Sequence, residues 1–350
     1  MKAKDIELPN YTPVQEFWNS ATHGLGTVLT LIFGPFLLIK AAKTGDAWSI
    51  VGCSIFVFAL LCLYTFSCLY HGLHKNTGKK VLRVMDHDMS RYEREDWDRF
   101  VSKIHLSLQV PFIHITGSNG KGSTAKYLYE IYKAAGYKTA LFSKPYLHRV
   151  NEMMLINDEM IKDEDFAKIF SQKESEIRAA NLSSFEIETY IAFAYFNAMK
   201  PDIAIIECGM GGATDSTTLV GDVPLLSIIT TISLEHTAFL GRTVSEIALN
   251  KGGIIAREAP VLVGKLEESA TNVLKDLAKR AHSLYYEVDD FHNEVYEAPY
   301  YRFEYKPYQN LEILTPARYQ LSNASMAVEA TKLLQNRFPV TEDAVRHDCR

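Results

Sequence analysis

One short stretch constrains this chain more than any other: His114-Ile115-Thr116-Gly117-Ser118-Asn119-Gly120-Lys121-Gly122-Ser123-Thr124. It lies between an apolar run, Phe112 to Ile115, that reads as a buried strand and an amphipathic run, Ala125 to Ala135, that reads as a helix. Glycines at such a junction let backbone N–H groups turn inward onto an anion at the helix N-terminus. Lys121 adds a point charge, and the Ser123 or Thr124 hydroxyl is placed to face a bound Mg²⁺. The common nucleotide pattern G-x-x-x-x-G-K-[ST] does not fit, because Ile115 stands at its first glycine and Gly122 follows the lysine. A strand, an anion-binding turn and a helix in succession call for an α/β fold.

The 350 residues suggest two or three domains with ample material for a core. A net charge of −5 argues against a nucleic-acid partner bound through a basic face. Hydropathy is unevenly spread. Phe17 to Ile39 and Ala47 to Tyr70 contain no Lys, Arg, Asp or Glu. Each is long enough to cross a hydrocarbon core of about 30 Å as a helix. The first run starts too late for a cleavable signal peptide and is followed by a second. Lys2 and Lys4 precede the first run, and Lys75, Lys79, Lys80 and Arg83 follow the second; the loop between holds Lys40 and Lys43. The positive-inside bias puts both ends in the cytoplasm. The expected organisation is therefore a transmembrane hairpin over residues 1–89, inserted in the lipid bilayer through 17–39 and 47–70, and a cytoplasmic domain over 90–350. The five cysteines (Cys53, Cys62, Cys68, Cys208 and Cys349) form no C-x-x-C and read as small apolar residues in a reducing compartment.

Polar residues recur in or beside the apolar runs: Glu16, Asn19, Thr22 and His23, then Ser67 and His71, then Asp86 and His87. Intramembrane ionisable groups are costly and usually functional. The pattern E-x-x-N-x-x-T-H, then S-x-L-Y-H, then L-R-x-x-D-H resembles the hemolysin III family, related to the progestin and adipoQ receptors, over about residues 14–89. The resemblance implies part of a seven-helix membrane protein with a metal site, in which His71 matches one ligand and Asp86 a nearby acid. The family's final H-x-x-x-H has no counterpart downstream, and zinc needs three or four ligands. A helix hairpin with stranded polar residues is the expectation.

From about Arg91 onward, short Ile- and Val-rich runs alternate with helical ones. Strands are expected at Phe112 to Thr116, Thr139 to Ser143, Ile203 to Cys208, Leu226 to Ile232 and Val261 to Gly264. Helices are expected at Lys121 to Ala135, Asp163 to Ala179, Phe185 to Met199, Thr243 to Ala256 and Ala270 to His282. This is the pattern of a doubly wound, mostly parallel sheet. Tyr285 to Leu314 alternates polar and aromatic residues and reads as an antiparallel appendage; Gln320 to Leu334 reads as a last helix. Ligand groups in such folds collect at the carboxyl ends of strands. Glu207, Glu235-His236 and Lys251 fall there or soon after.

The loop variant T-G-x-N-G-K-G-S resembles the ATP loop of the Mur ligase superfamily and, within it, the folylpolyglutamate synthases. Phe185-Glu186, Glu207-Cys208-Gly209-Met210-Gly211-Gly212 with Asp215, Glu235-His236-Thr237 with Leu240-Gly241, Lys251-Gly252-Gly253-Ile254, and Gln320 with Asn323-Ala324 follow that family in order and spacing over about 91–340. The resemblance implies that Gly117, Ser118, Asn119, Gly120, Lys121, Gly122, Ser123 and Thr124 hold the ATP phosphates, and that Asn323 faces the adenine. It implies Glu207 and His236 as Mg²⁺ ligands, with Lys251 carbamylated and holding a second metal. Lys121, Lys251 and His236 become the catalytic set. Tyr146, the segment from Leu147 to Glu152, and Ala213, Thr214 and Asp215 would face the pterin. The implied chemistry is acid–amide ligation, with ATP, a reduced folate or dihydropteroate, and L-glutamate as reactants.

Several positions depart from the family pattern. Its metal-ligating serine is Lys144 here, in Ser143-Lys144-Pro145-Tyr146-Leu147; its Arg is Ala213, its Asp is Glu235, the Glu before the special lysine is Asn250, and a His is Tyr319. These changes spare the phosphate loop. The family's second α/β domain is expected to be absent, which would impair a ligase. The competing expectations are a hemolysin III-type membrane protein carrying a non-catalytic nucleotide-binding remnant, and a nucleotide-binding module without turnover.

Overall fold

The computed structural model describes residues 13–43, 47–72 and 94–348. The chain divides into two units, Met1–Tyr92 and Glu93–Arg350.

In the first unit α1 (Pro13–Ala42) and α2 (Ala47–Gly72) pack against each other. Glycine on α1 lets the helices approach closely. A Cβ on Gly26 would stand 2.8 Å from the Tyr64 ring, and one on Gly34 would stand 2.7 Å from Val57. Gly26 thus meets the later residue and Gly34 the earlier one, so the helices run antiparallel. His23 lies beside Tyr64, ring centroids 6.2 Å apart. Small residues at such a seam let two apolar helices pack at close range. Two spans were expected. Among the described residues one segment, Ala21–Ala42, is long and apolar enough to cross a membrane, and α2 contributes the shorter apolar segment Ser49–Phe58. The side chains of Glu16, Asn19, Ser67 and His71, all of Asp86 and His87, and the flanking Lys2, Lys4, Lys75, Lys79, Lys80 and Arg83 lie outside the described residues.

The second unit begins with α3 (Arg94–Ile104) and continues through β1 (Phe112–Thr116), α4 (Lys121–Ala134), β2 (Thr139–Phe142), β3 (Met154–Ile156) and β4 (Glu159–Met160). Next come α5 (Asp163–Gln172), α6 (Glu174–Ala180), α7 (Ser184–Met199), β5 (Ile203–Glu207), β6 (Leu226–Ile229), α8 (Val244–Lys251), β7 (Val261–Val263), α9 (Glu268–Arg280) and β8 (Tyr285–Glu287). The chain closes with β9 (His292–Glu297), β10 (Tyr300–Tyr305), β11 (Tyr308–Leu314), α10 (Gln320–Leu333) and α11 (Glu342–Asp348). The main sheet has the order β4-β3-β2-β5-β1-β6-β7-β8. Its strands pair in parallel from β2 to β8, with β3 and β4 added antiparallel at one edge.

Burial on both faces explains the continuous apolar strands. In β1, Ile113 and Ile115 face α4 and α10 with Leu128, Tyr132, Leu321 and Val328. Phe112 faces the other layer, where Trp97, Phe100, Tyr190 and Phe193 collect. Burying each such side chain contributes about 1.5–3 kcal/mol. Three expectations need correction. The run from Asp163 to Ala179 is two helices, because Lys173 leaves the helical region at φ −129°. Tyr285–Glu287 is not part of the appendage: it pairs in parallel with β7, and β9 to β11 alone make the antiparallel sheet. The helix after Thr243 also stops at Lys251, earlier than expected, and gives way to a short 3₁₀ turn over Gly252–Ile254.

After β1 the chain moves to β2 and β5 on one side, and from β5 it crosses to β6 on the other. The strand order therefore reverses around β1 and β5. The crevice at their carboxyl ends is the standard ligand position of an open α/β sheet.

Candidate active site

The loop from Gly117 to Gly120 leaves β1 and enters α4, so its N–H groups and the helix N-terminus share one mouth. Two glycines are required. Gly117 has φ +150°, and a Cβ there would overlap Thr230 Oγ1. Gly120 has φ +83°, and a Cβ there would overlap Asn323 Oδ1. The segment after β6 braces the loop from one side. Ser118 N donates to Thr231 O at 2.7 Å, Asn119 N to Thr231 Oγ1 at 2.8 Å, Thr230 Oγ1 to Asn119 O at 2.6 Å, and Ser233 N to Ser118 Oγ at 3.0 Å. Lys121 folds back, its Nζ 2.8 Å from Gly117 O. Ser123 and Thr124 part company: Thr124 is fully buried, whereas Ser123 is half-buried and accepts from Gln320 Nε2 at 3.2 Å. Gln320 also accepts from Asn323 Nδ2 at 2.8 Å, so the start of α10 is fixed against the loop.

Glu207 ends β5 beside this mouth. Its Oε2 accepts from the Ser143 hydroxyl and from Lys144 N at 3.1 Å, and it lies 3.3 Å from where a Cβ on Gly122 would be. Burial pushes its pKa above the ordinary carboxylate value, against the hydrogen bonds from Ser143 and Lys144. One carboxylate next to a phosphate cradle suits Mg²⁺, which takes one or two carboxylates and completes its shell with phosphate oxygens and water. Among the described residues no group of three or more His, Cys, Asp and Glu is gathered to hold a metal by itself. Glu207 thus fits a metal that arrives with phosphate. His236 is exposed and in the left-handed region at φ +43°, its carbonyl accepting from Phe239 N and Leu240 N. Lys251 is 1% exposed, and its Nζ lies 2.7 Å from Glu235 Oε1. With Lys251 unmodified, its ammonium is paired with the Glu235 carboxylate.

The run Gly209 to Thr218 lines the crevice beyond Glu207. Its glycines allow backbone to meet backbone: a Cβ on Gly212 would stand 2.5 Å from Lys251 O, and Gly253 abuts Ala213. Asn250 completes the seam by accepting from Gly212 N at 3.0 Å and, through its carbonyl, from Ala213 N at 2.8 Å. Asp215 is buried and accepts from Met210 N, Thr217 N and Thr217 Oγ1, so it organises the turn from within; burial raises its pKa. Three elements hold this turn. Arg94 on α3 donates to Asp215 O at 2.5 Å and Thr218 O at 2.7 Å. Thr189 on α7 bonds Ser216 at 2.9 Å. His114 on β1 bonds Thr217 at 2.9 Å and Cys208 at 3.2 Å, and burial lowers its pKa to about 4, so it is neutral at pH 7. Ala213 is exposed and Thr214 half-buried at the rim. Tyr146 is also exposed, in a segment whose Leu147, His148 and Arg149 N–H groups all converge on Glu152.

The structure therefore brings Gly117 to Ser123, Glu207 and Asn323 around one mouth. It also adds Ser143, Thr230, Thr231, Ser233 and Arg94, which the sequence reading passed over. Isolated hydroxyls and a lone arginine give no local signal of a contact made a hundred residues away.

A doubly wound sheet with a glycine loop at its switch point and a carboxylate beside it defines an open α/β fold with a candidate anion site. Residues 115–331 match the Mur ligase middle domain, and the chain belongs to that family. Residues 11–89 match the Haemolysin-III related family. Among curated relatives, the folylpolyglutamate synthase of Lacticaseibacillus casei is 32% identical over 256 residues, covering 68% of this chain and 59% of that protein. The dihydrofolate synthase/folylpolyglutamate synthase of Bacillus subtilis (strain 168) is 31% identical over 258 residues, covering 69% and 60%. The chain thus spans about three fifths of the length of these relatives. Among solved structures, an FPGS–AMPPCP complex superposes with a TM-score of 0.67 at 28% identity, covering 73% of this chain and 66% of that one. The folylpolyglutamate synthase of Thermotoga maritima does so with a TM-score of 0.67 at 29% identity, covering 77% and 65%.

Proposed function

We propose that this chain is an ATP-dependent acid–amide ligase that adds L-glutamate to a folate, either a reduced folate or dihydropteroate. The observation that carries the reading is the braced phosphate cradle with Glu207 at its edge. The similar structure in complex with AMPPCP supports a nucleotide there. In this reading the N–H groups of Gly120 to Ser123, at the start of α4, and the Lys121 ammonium bind the phosphates and neutralise charge on the transferring phosphoryl group. The substrate carboxylate attacks the terminal phosphorus; an acyl phosphate forms and ADP departs. The amine of glutamate then attacks the acyl carbon, loses a proton, and expels phosphate as the amide forms. Mg²⁺, when bound beside Glu207 and His236, supplies charge neutralisation to the phosphates. Ala213, Thr214 and Tyr146 border the space for the pterin, and Asp215 holds the turn behind them from within. The chain's own work is positioning.

The expected result is ADP release that requires both a folate and glutamate, with a folate product one glutamate longer by mass. ADP release indifferent to folate and glutamate would overturn the reading in favour of a nucleotide-binding module.

We further propose that α1 and α2 anchor the ligase unit to a lipid bilayer through 17–39 and 47–70, with that unit in the cytoplasm. The family match over 11–89 and the apolar segment Ala21–Ala42 support this. In sealed vesicles a cysteine introduced near Gly45 should react from outside and one near Gly78 should not. The reverse pattern would overturn the orientation.

A further inference from the structure

Lys121 is not the only ammonium beside Glu207. Lys144 follows β2 directly, and its main chain is built into the mouth. Its N–H donates to Glu207 Oε2 at 3.1 Å, and its carbonyl lies 3.4 Å from where a Cβ on Gly122 would be. The residue therefore touches both the carboxylate and the first turn of α4, where a phosphate would be received. Its side chain is exposed, and its Nζ stands 3.8 Å from the centroid of the Phe185 ring. Phe185 in turn packs on Gly209, at the start of the glycine run after β5. The ammonium thus sits between the phosphate helix and the substrate-side loop.

The two lysines differ in how they are held. Lys121 is tied to Gly117 O at 2.8 Å and Ser118 O at 3.4 Å. Lys144 rests on an aromatic face, a contact that is weak while solvent reaches the ammonium. The charged groups that feel it are Glu188, Glu207 and Asp215; each carboxyl is pushed up by burial and drawn down by this cation. Among the described residues no ion pair fixes the ammonium to any of these acids; its contact is the Phe185 ring. An anion entering the crevice meets a mobile positive charge on a flexible stem.

We infer that Lys144 is a second phosphate-binding cation, which leaves the Phe185 face for the terminal phosphate when nucleotide binds and makes nucleotide affinity less dependent on Mg²⁺. This deepens the proposed function and rests on its reading of the mouth as a nucleotide site. The physical reason is competition. An ammonium at the phosphate offsets charge that a divalent ion beside Glu207 would otherwise offset, and the two cations repel. Each therefore weakens the need for the other.

The test measures the affinity of the full-length chain, in detergent micelles, for a non-hydrolysable ATP analogue by calorimetry. It is done with EDTA and again across a Mg²⁺ titration, for the parent, Lys144→Met, Lys144→Arg and Lys121→Ala. In EDTA, Lys144→Met should bind about 10- to 100-fold more weakly than the parent, the range of one charge-assisted contact. At saturating Mg²⁺ the gap should close to within about threefold, and Lys144→Arg should stay near the parent throughout. Equal affinity of the parent and Lys144→Met in EDTA sinks the inference, as does a gap that Mg²⁺ leaves unchanged. If the parent binds the analogue and Lys121→Ala loses it, that failure belongs to Lys144 alone and the nucleotide site stands. If the parent binds in neither condition, the proposed function falls and this inference with it.

Discussion

Glu235→Gln should lower the stability of the second unit by about 3 kcal/mol, because it strands a buried ammonium. Lys251 is 1% exposed and has Glu235 Oε1 at 2.7 Å from its Nζ. Breaking a buried pair costs about 3–5 kcal/mol, and the lower end applies because the Glu235 side chain is 24% exposed and water takes up part of the loss. The pair is unequal. Burial pulls Lys251 below its ordinary pKa, more strongly than the bond to Glu235 raises it. Burial pushes Glu235 up, but the hydrogen bond and charge of Lys251, with smaller help from the Ser118 hydroxyl and the Lys121 charge, more than offset this and leave it below the ordinary value. Glu235 therefore contributes stability that is present above the usual carboxylate pKa and is lost as pH falls through its depressed folded value. Urea denaturation of the chain in micelles should show that acid loss in the parent and not in Glu235→Gln. The reverse truncation, Lys251→Met, leaves a carboxylate that water can reach and should cost less. The double variant should recover most of the loss. A Glu235→Gln variant as stable as the parent would mean that Lys251 has another partner or is not an ammonium.

Gly117→Ala should abolish useful nucleotide affinity, by about 100-fold or more, a loss equivalent to about 2.7 kcal/mol. The added Cβ would overlap Thr230 Oγ1 and stand 3.0 Å from Thr231 N, at a φ of +150° that side chains rarely adopt. Thr230 holds the loop through Asn119 O at 2.6 Å, so pushing it aside releases the brace. Gly136→Ala is the matched comparison. Its φ of +90° makes the substitution strained, but nothing lies within 4 Å, and its position at the far end of α4 spares the cradle. That variant should lose stability and keep nucleotide affinity. Calorimetry with a non-hydrolysable analogue separates the two; unchanged affinity in Gly117→Ala would show that the loop does not depend on Thr230.

The strand–loop–helix unit was legible because its signals are local. Phe112–Thr116 is a strand as read, and α4 runs Lys121–Ala134 where Lys121 to Ala135 was expected. The parallel strands were legible from apolar runs for the same reason. β3 and β4 were not, being 3 and 2 residues long, too short to show any period. β8 was misread because alternation in Tyr285–Glu287 says nothing about which strand it pairs with. The end of α8 at Lys251 depends on Gly252, where a Cβ would overlap Leu277 of α9, and Gly253, where one would overlap Ala213; both are tertiary facts. In the site, Glu207 and the glycine loop carry motif-level signals. Ser143 reaches Glu207 and Arg94 reaches Asp215 only because the sheet brings distant segments together.

The family match opens at residue 115, yet the molecule does not divide there. Trp97 and Phe100 of α3 are buried in the layer that covers Phe112 and Phe142, and Arg94 fastens both ends of the Asp215–Thr218 turn. A fragment cut at the edge of the recognisable domain would lose one wall of its core together with the anchor of the Asp215–Thr218 turn. Recognisability and foldability thus have different borders in this protein. The border that matters for folding of the second unit lies at or before Arg94, ahead of the recognisable domain.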